Sequence, residues 1–353
     1  TPSGVPLGDP ERVEDVGEFG LIARLHSLLP PCGRPVWVGP GDDAAAVPGP
    51  GERAWILTCD VLVEGQHFRR ELTSAYDLGR KALAVNVSDV AAMGGEPRYA
   101  IVSLGLPPET ETSWVEDLYR GLGDEAALWG AAIVGGNISR SGATRAEGQS
   151  FVDVFLLGEA PREELLTRAG ARPGDELLVT GTLGDAAAGL FLLHHPEVSP
   201  SEEGRETLLS AHRRPRPRVR EARAVARSGL ASAMIDISDG LASDLRHLCE
   251  ASGVGAEVRE ESLPLSPALR AAAERAGLAP LEWALGGGED YELLLAAPPH
   301  AVGALQRAVR EAKGVPLTAI GRVREPESGL SLLGPNGRRE LSPLGWDHMR
   351  RKA

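Results

Sequence analysis

Aromatic residues are scarce in this 353-residue sequence: 5 Phe, 6 Trp and 4 Tyr make up 4% of it, so each aromatic beside a motif is informative. Cysteine is nearly absent. Cys32, Cys59 and Cys249 are odd in number and far apart, which argues against a disulfide framework and a thiolate zinc site and fits a reducing compartment. No stretch reaches the roughly 18 uninterrupted apolar residues of a membrane-spanning helix. The opening TPSGVPLGDP has neither a cationic start nor an apolar core, so neither export nor membrane insertion is expected and the reading is a cytoplasmic protein. Positive charge is also in deficit. The 37 Lys and Arg face 50 Asp and Glu, a net charge of −13, which would repel a nucleic-acid backbone and removes nucleic acid from the expected partners. No repeat of roughly 20 to 50 residues is present, which excludes a solenoid. The common nucleotide cradles are missing too: there is no G-x-x-x-x-G-K-[ST], no H-R-D with D-F-G, no spaced dinucleotide glycines and no G-x-S-x-G elbow.

What is present describes a mixed α/β chain with length for about two domains. Apolar residues are 42% and charged residues 25%, close to globular averages. The 43 Gly and 27 Pro punctuate short elements of both kinds. Helical spacing of Leu21, Ile22, Leu25, Leu28 and Leu29 predicts a helix over Glu18–Leu29, ended by Pro30-Pro31. Runs beginning at Trp55 and Tyr99 read as strands, and the Pro48-Gly-Pro-Gly51 turn lets Val36–Val47 pair with the first. Asp77 is the expected cap of a helix running to Met93, stopped by Gly94-Gly95. Ser113–Trp129 reads as a second long helix, followed by strands over 131–134 and Phe151–Leu157. The polar stretch Glu159–Gly174 reads as a domain junction. Beyond it, strands at 177–180, 233–237 and 291–296 alternate with helices at 184–194, 219–226, 241–250 and 302–312. The basic, Pro-interrupted run His212–Arg227 is either a solvated segment or a phosphate-contacting one.

Carboxylates lie inside otherwise apolar or Gly-rich strings: Asp42-Asp43, Asp60 in Leu-Thr-Cys-Asp, Asp89 in a core helix with the amide of Asn86 three residues before it, Asp236 and Asp239 in Ile-Asp-Ile-Ser-Asp-Gly, and Glu289-Asp290 after three glycines. Burying a carboxylate costs several kcal/mol unless a cation or donors compensate it. Several together imply bound metal, and hard oxygen ligands without a His or Cys cluster favour Mg²⁺ over zinc. Bland alternatives stay open for each: Asp239 as a helix N-cap, Asp42-Asp43 and Glu289-Asp290 as turns, the Asn86/Asp89 face as exposed, His67 as a surface histidine.

Taken together, Gly17–Arg24, Gly41-Asp-Asp43, Asp60 to His67-Phe68, Lys81–Gly94, Gly135-Gly136, Val179-Thr-Gly-Thr, Asp236–Leu241 and Gly287–Leu293 resemble, in order, the thiamine-monophosphate kinase family of the aminoimidazole ribonucleotide synthetase superfamily. The resemblance implies a two-domain PurM-like fold. Residues 1–160 would form an N-terminal ATP- and metal-binding domain that closes a β-barrel across a homodimer, and 161–353 a C-terminal α/β domain completing an interdomain active site. It implies Mg²⁺ on Asp43, Asp60, Asp89, Asp236 and Asp239 with Thr58 and Cys59 at the same positions, Asp89, Asp236 and Asp239 being catalytic. ATP, the co-substrate, would meet a Gly135-Gly136 turn, Asn137, Arg168 and Ser238. Thiamine monophosphate would meet His67, Glu289 and Trp346. Cys59 stands where Thr is common and Asn137 where Asp often follows the two glycines. A sister selenophosphate synthetase should carry a reactive Cys near its N-terminus, and residues 1–17 have none. A phosphate-monoester acceptor, with its second pKa near ~6, is already a nucleophilic dianion at neutral pH, so the reaction requires no strong general base.

Overall fold

In the computed structural model, residues 12–30, 33–144, 148–198 and 200–341 are described. The chain divides into two units, one of which spans Val36–Gly345. Of the other, the described part carries helices α1 (Val13–Val16) and α2 (Glu18–Leu28).

Within Val36–Gly345, the strands form two sheets. The first has five strands, β1 (Ala45–Pro48), β2 (Arg53–Val63), β3 (Glu96–Leu106), β4 (Ala132–Arg140) and β5 (Phe151–Pro161), in the order β1-β2-β5-β3-β4. Only β3 and β4 run parallel, joined by α4 (Thr112–Trp129), as a parallel pair requires a crossover. The sheet is open within the chain, with β1 and β4 as its edges. Even-numbered residues of its three central strands, among them Ile56, Leu62, Val102, Val154 and Leu156, are buried under α4 and α3 (Ala75–Ala92).

Helix α3 is buried along most of its length. Its cap differs from the expectation: Ser74 is the N-cap, and its Oγ accepts the Asp77 N–H at 3.1 Å. A serine just ahead of the first turn supplies that acceptor, while Asp77 lies inside the turn, where a carboxylate favours the helix dipole. Helices α3 and α4 cross at bare backbone. A Cβ at Gly79 would lie 2.0 Å from the Leu118 carbonyl oxygen, and one at Gly121 would lie 2.0 Å from that of Tyr76.

The second sheet comprises β6 (Glu176–Thr180), β7 (Ala233–Ile237), β8 (Gly255–Arg259), β9 (Glu292–Ala297), β10 (Leu317–Arg324), β11 (Leu330–Gly334) and β12 (Gly337–Glu340), in the order β12-β11-β8-β10-β6-β9-β7. Helices α5 (Asp185–His194), α6 (Glu202–Arg213), α7 (Val219–Ser228), α8 (Leu241–Ser252), α9 (Pro267–Ala276), α10 (Pro280–Gly286) and α11 (Val302–Glu311) surround it. Its central strands are covered on both faces: Leu178, Met234, Leu293 and Leu295 share a core with α3, α7 and α11, while Leu177, Val179, Ile235 and Leu294 share another with α8 and α10. Helix α3 thus packs on both sheets.

Strands β8 and β10 escaped the sequence reading because charges interrupt their apolar pattern. Those charges are paired: Arg322 reaches Glu176 and Arg324 reaches Glu257 across the strands, and such pairs stabilise a ladder. The basic run 212–227 closes α6, forms a loop and opens α7, with Arg214, Arg216 and Arg220 exposed. Most of its cations are engaged by the chain's own acids and carbonyls: Arg213 by the Leu72 carbonyl, Arg214 by Asp77, Arg218 by Glu292, and Arg223 by Glu96, Glu164 and the Gly94 carbonyl. No helix among the described residues is long and apolar enough to cross a membrane.

Candidate active site

Strand parity determines which acids meet. Thr58 and Asp60 share the even face of β2 with Ile56 and Leu62, which packs on α3, and Asp236 shares the face of β7 that holds Met234. Helix α3 supplies the complements. Asp89 Oδ2 accepts the Thr58 hydroxyl at 2.5 Å, and Ser88 donates to Asp236 Oδ2 at 2.5 Å. Asn86 accepts the Asp60 N–H at 3.0 Å while its own amide donates to the Ala82 carbonyl. From the loop before β1 comes Asp43, whose side chain is 0% exposed and takes Arg168 Nη2 at 2.6 Å and Nε at 3.0 Å on one oxygen. Its other oxygen, Oδ2, is buried without a hydrogen-bond partner.

Four carboxylates, Asp43, Asp60, Asp89 and Asp236, are therefore grouped between the sheets. Burial first, then mutual repulsion, holds Asp43 and Asp89 well above the usual carboxylate range, and the same two causes push Asp60 up to about 6. Burial also raises Asp236, against the opposing pull of Ser88 and Arg168. Among the described residues, no three His, Cys, Asp or Glu side chains form a finished metal cage. That fits an ion such as Mg²⁺, which takes one or two carboxylates and completes its octahedron with water and phosphate oxygens. The orphaned Asp43 oxygen and the crowded negative charge are the features a divalent cation would relieve.

The other expected site residues fall in several places. Asp239 and Ser238 occupy the turn between β7 and α8. Asp244, which sequence reasoning missed, pins that turn by accepting the N–H groups of Asp239 and Gly240 at 3.1 and 3.0 Å. The Cys59 thiol is not brought into the group: odd parity turns it to the opposite sheet face, where it donates to Asp153 at 3.1 Å. Partial burial and that neighbouring carboxylate push the thiol up to about 12. Gly135 and Gly136 are not a turn but lie within β4, where a Cβ at Gly136 would meet the Val102 carbonyl oxygen at 2.0 Å; close approach of β3 is what requires glycine there. Asn137 follows in the same edge strand, exposed and donating to Ser139. With β5 and β3 between, β4 lies three strand spacings, roughly 14 Å, from β2.

His67 sits in the turn after β2, its Nδ1 accepting the Val63 N–H at 3.0 Å, which assigns the proton of the neutral ring to Nε2. The turn is anchored by Arg70, which donates to Ser150 and stacks 4.0 Å over the Trp114 ring. Beside it Glu64, Arg69, Glu71 and His194 help line a cleft of about 480 Å³. Glu289 is engaged by Lys81 and His212. Asp290 accepts the Gly184 N–H at 2.8 Å and thereby caps α5. Trp346 lies outside the described residues. Lys81, Asn86 and Ser88 were legible only as polar residues inside an apolar helix, a signal that marks burial without naming the partner, and His212 only as the start of the basic run.

The description AIR synthase related protein, N-terminal domain, matches residues 41–160, and AIR synthase related protein, C-terminal domain, matches residues 172–331. That defines the class. Among curated proteins, the thiamine-monophosphate kinase of Aquifex aeolicus (strain VF5) is 39% identical over 339 residues, covering 96% of this chain and 99% of that protein. The thiamine-monophosphate kinase of Escherichia coli (strain K12) is 38% identical over 332 residues, covering 94% and 98%. A solved structure described as AaThiL complexed with AMPPCP and TMP superposes with a TM-score of 0.82 at 39% identity, covering 97% of this chain and 100% of that one. The chain belongs to the thiamine-monophosphate kinase family.

Proposed function

We propose that the protein transfers the γ-phosphoryl group of ATP to thiamine monophosphate, forming thiamine diphosphate by direct in-line displacement, with several Mg²⁺ ions as cofactors. The observation that carries this reading is the group of four carboxylates, contributed by α3, both sheets and the loop before β1, in a chain similar to a protein solved with AMPPCP and TMP. Asp43, Asp60, Asp89 and Asp236 would hold the ions, with Thr58 bonded to Asp89 and Asp239 in the adjoining turn. When bound, the metal supplies the positive charge that lets one phosphate dianion approach another. The residues themselves orient and neutralise. Arg168 counters Asp43, Asn86 and Ser88 fix Asp60 and Asp236, and the acceptor's own dianion removes the requirement for a base.

Residues 1–160 would bind ATP and metal, with Gly135, Gly136 and Asn137 toward the nucleotide, and 161–353 would complete the site, with Arg168 and Ser238 toward the nucleotide from that side. His67, Glu289 and Trp346 would border the thiamine end. The working form would be a cytoplasmic homodimer, its first sheet closing a barrel with the partner's. This is supported by the odd face of that sheet, where Leu57, Leu157 and Tyr99 form one cross-strand row and Cys59, Phe155 and Ile101 the next, with Tyr99 and Ile101 exposed.

The test is incubation with MgATP and thiamine monophosphate followed by chromatography for thiamine diphosphate. An acid-stable phosphoprotein on the reaction path, or preference for free thiamine as acceptor, would overturn the proposal.

A further inference from the structure

Lysine is rare in this chain: Lys81, Lys313 and Lys352 stand against a cation population otherwise made of arginine. Lys81 lies in the middle of α3 with its side chain 3% exposed, where an ammonium is tolerated only when paired. Its partner is Glu289, with Oε1 2.6 Å from Nζ. The contact is an ion pair, since Nζ has no well-aligned acceptor. The second Glu289 oxygen, Oε2, is 2.9 Å from Nδ1 of the buried His212 on α6. Burial, reinforced by Lys81, lowers the pKa of His212 against the opposing pull of Glu289. Burial acts to raise the Glu289 carboxyl, yet Lys81 and His212 together hold it well below the ordinary range. Three elements separated widely in sequence converge on one carboxylate.

That carboxylate belongs to a loop under backbone constraint. Glu289 has φ 61° and Tyr291 φ 49°, left-handed conformations that non-glycine residues hold only where their surroundings over-determine them. The Glu289 N–H donates to the Ser238 carbonyl at 2.7 Å and the Tyr291 N–H to the Ile237 carbonyl at 2.8 Å. The loop is thereby clipped to the strand end that carries Asp236 and to the turn that carries Asp239.

We infer that Lys81 is a positioning residue: it supplies the counter-charge for Glu289, whose second oxygen is held at His212, and so latches the 288–291 loop onto the β7–α8 turn, leaving Glu289 committed to that latch and not to recognition of the thiamine cation. This deepens the proposed reaction and rests on it for its kinetic test. Breaking one side of a buried pair is far more damaging than replacing both sides with neutral groups, so the double variant decides the matter.

The variants are Lys81→Met, Glu289→Gln and the two combined, each assayed for kcat/KM with thiamine monophosphate, KM for ATP, and melting temperature. Lys81→Met should lose kcat/KM on the order of tenfold or more, and the double variant should recover most of that loss and melt higher than Lys81→Met. Failure of Lys81→Met to fold while the double variant folds supports the latch equally. The opposite pattern overturns it: Glu289→Gln alone raises KM for thiamine monophosphate, and the double variant is no better than either single. If the wild type forms no thiamine diphosphate, the reaction is wrong, and the latch is still decided by melting temperature, recovery in the double variant supporting it and additive loss overturning it.

Discussion

At the scale of single residues, the site is a balance between buried negative charge and the few groups that offset it. Asp89 and Asp236 repel each other and their neighbours. Changing either to Asn should lower kcat/KM on the order of 10²-fold or more by removing charge at the proposed phosphoryl-transfer centre. The same substitutions should leave the melting temperature without Mg²⁺ equal or higher, because each removes a source of repulsion. Near-native turnover in both variants, or a marked loss of metal-free stability, would count against the assignment. His247 on α8 gives a second test. Burial, then the charges of Arg168 and Arg246, lowers its pKa from 6.5 to about 4. Between those values the unfolded chain takes up a proton that the folded chain refuses, so the His247 contribution is present above pH 6.5 and lost as pH falls toward 4. His247→Gln should flatten that part of the melting-temperature profile between pH 7 and 4, and an unchanged slope would show that the ring is not held neutral.

At the scale of elements, α3 joins the two sheets, and its crossing with α4 is set by backbone contact. Gly79→Ala and Gly121→Ala should each destabilise the protein by about 1–3 kcal/mol, despite the better helix propensity of alanine, because each new Cβ meets a carbonyl oxygen at 2.0 Å. Gly123 on the same helix is exposed, and a Cβ there would have nothing within 4 Å. Gly123→Ala should therefore stabilise by about 1 kcal/mol. Thermal or urea unfolding distinguishes the two classes, and a shared sign for all three would refute the crossing geometry. Elements with clean apolar periodicity, such as β2, β7 and α4, were legible from residue order alone. Strands β8 and β10 were not, because Glu257, Arg322 and Arg324 look like surface charge until their cross-strand partners are known.

At the scale of the whole molecule, the odd face of the first sheet leaves Val61, Tyr99 and Ile101 exposed, an apolar surface suited to a second copy of the chain. Ile101→Asp should shift the protein from dimer to monomer in light scattering, with secondary structure retained by circular dichroism. A wild type that is monomeric at micromolar concentration would remove the shared barrel from the proposed function.

The sequence by itself determined the chemistry available: which strings carry acids in apolar surroundings, and an order of motifs specific enough to indicate the family. These are local properties, since period and residue type are set by neighbours along the chain. What only the tertiary structure decided is which partners meet. That Asp236 takes Ser88, that Glu289 meets Lys81 and His212, that the basic run 212–227 serves largely as internal counter-charge, and that Gly136 sits against Val102 all depend on contacts between segments far apart in sequence. Such pairings follow from how α3 is packed between two sheets, and periodicity within one segment carries no information about the segment on the other side.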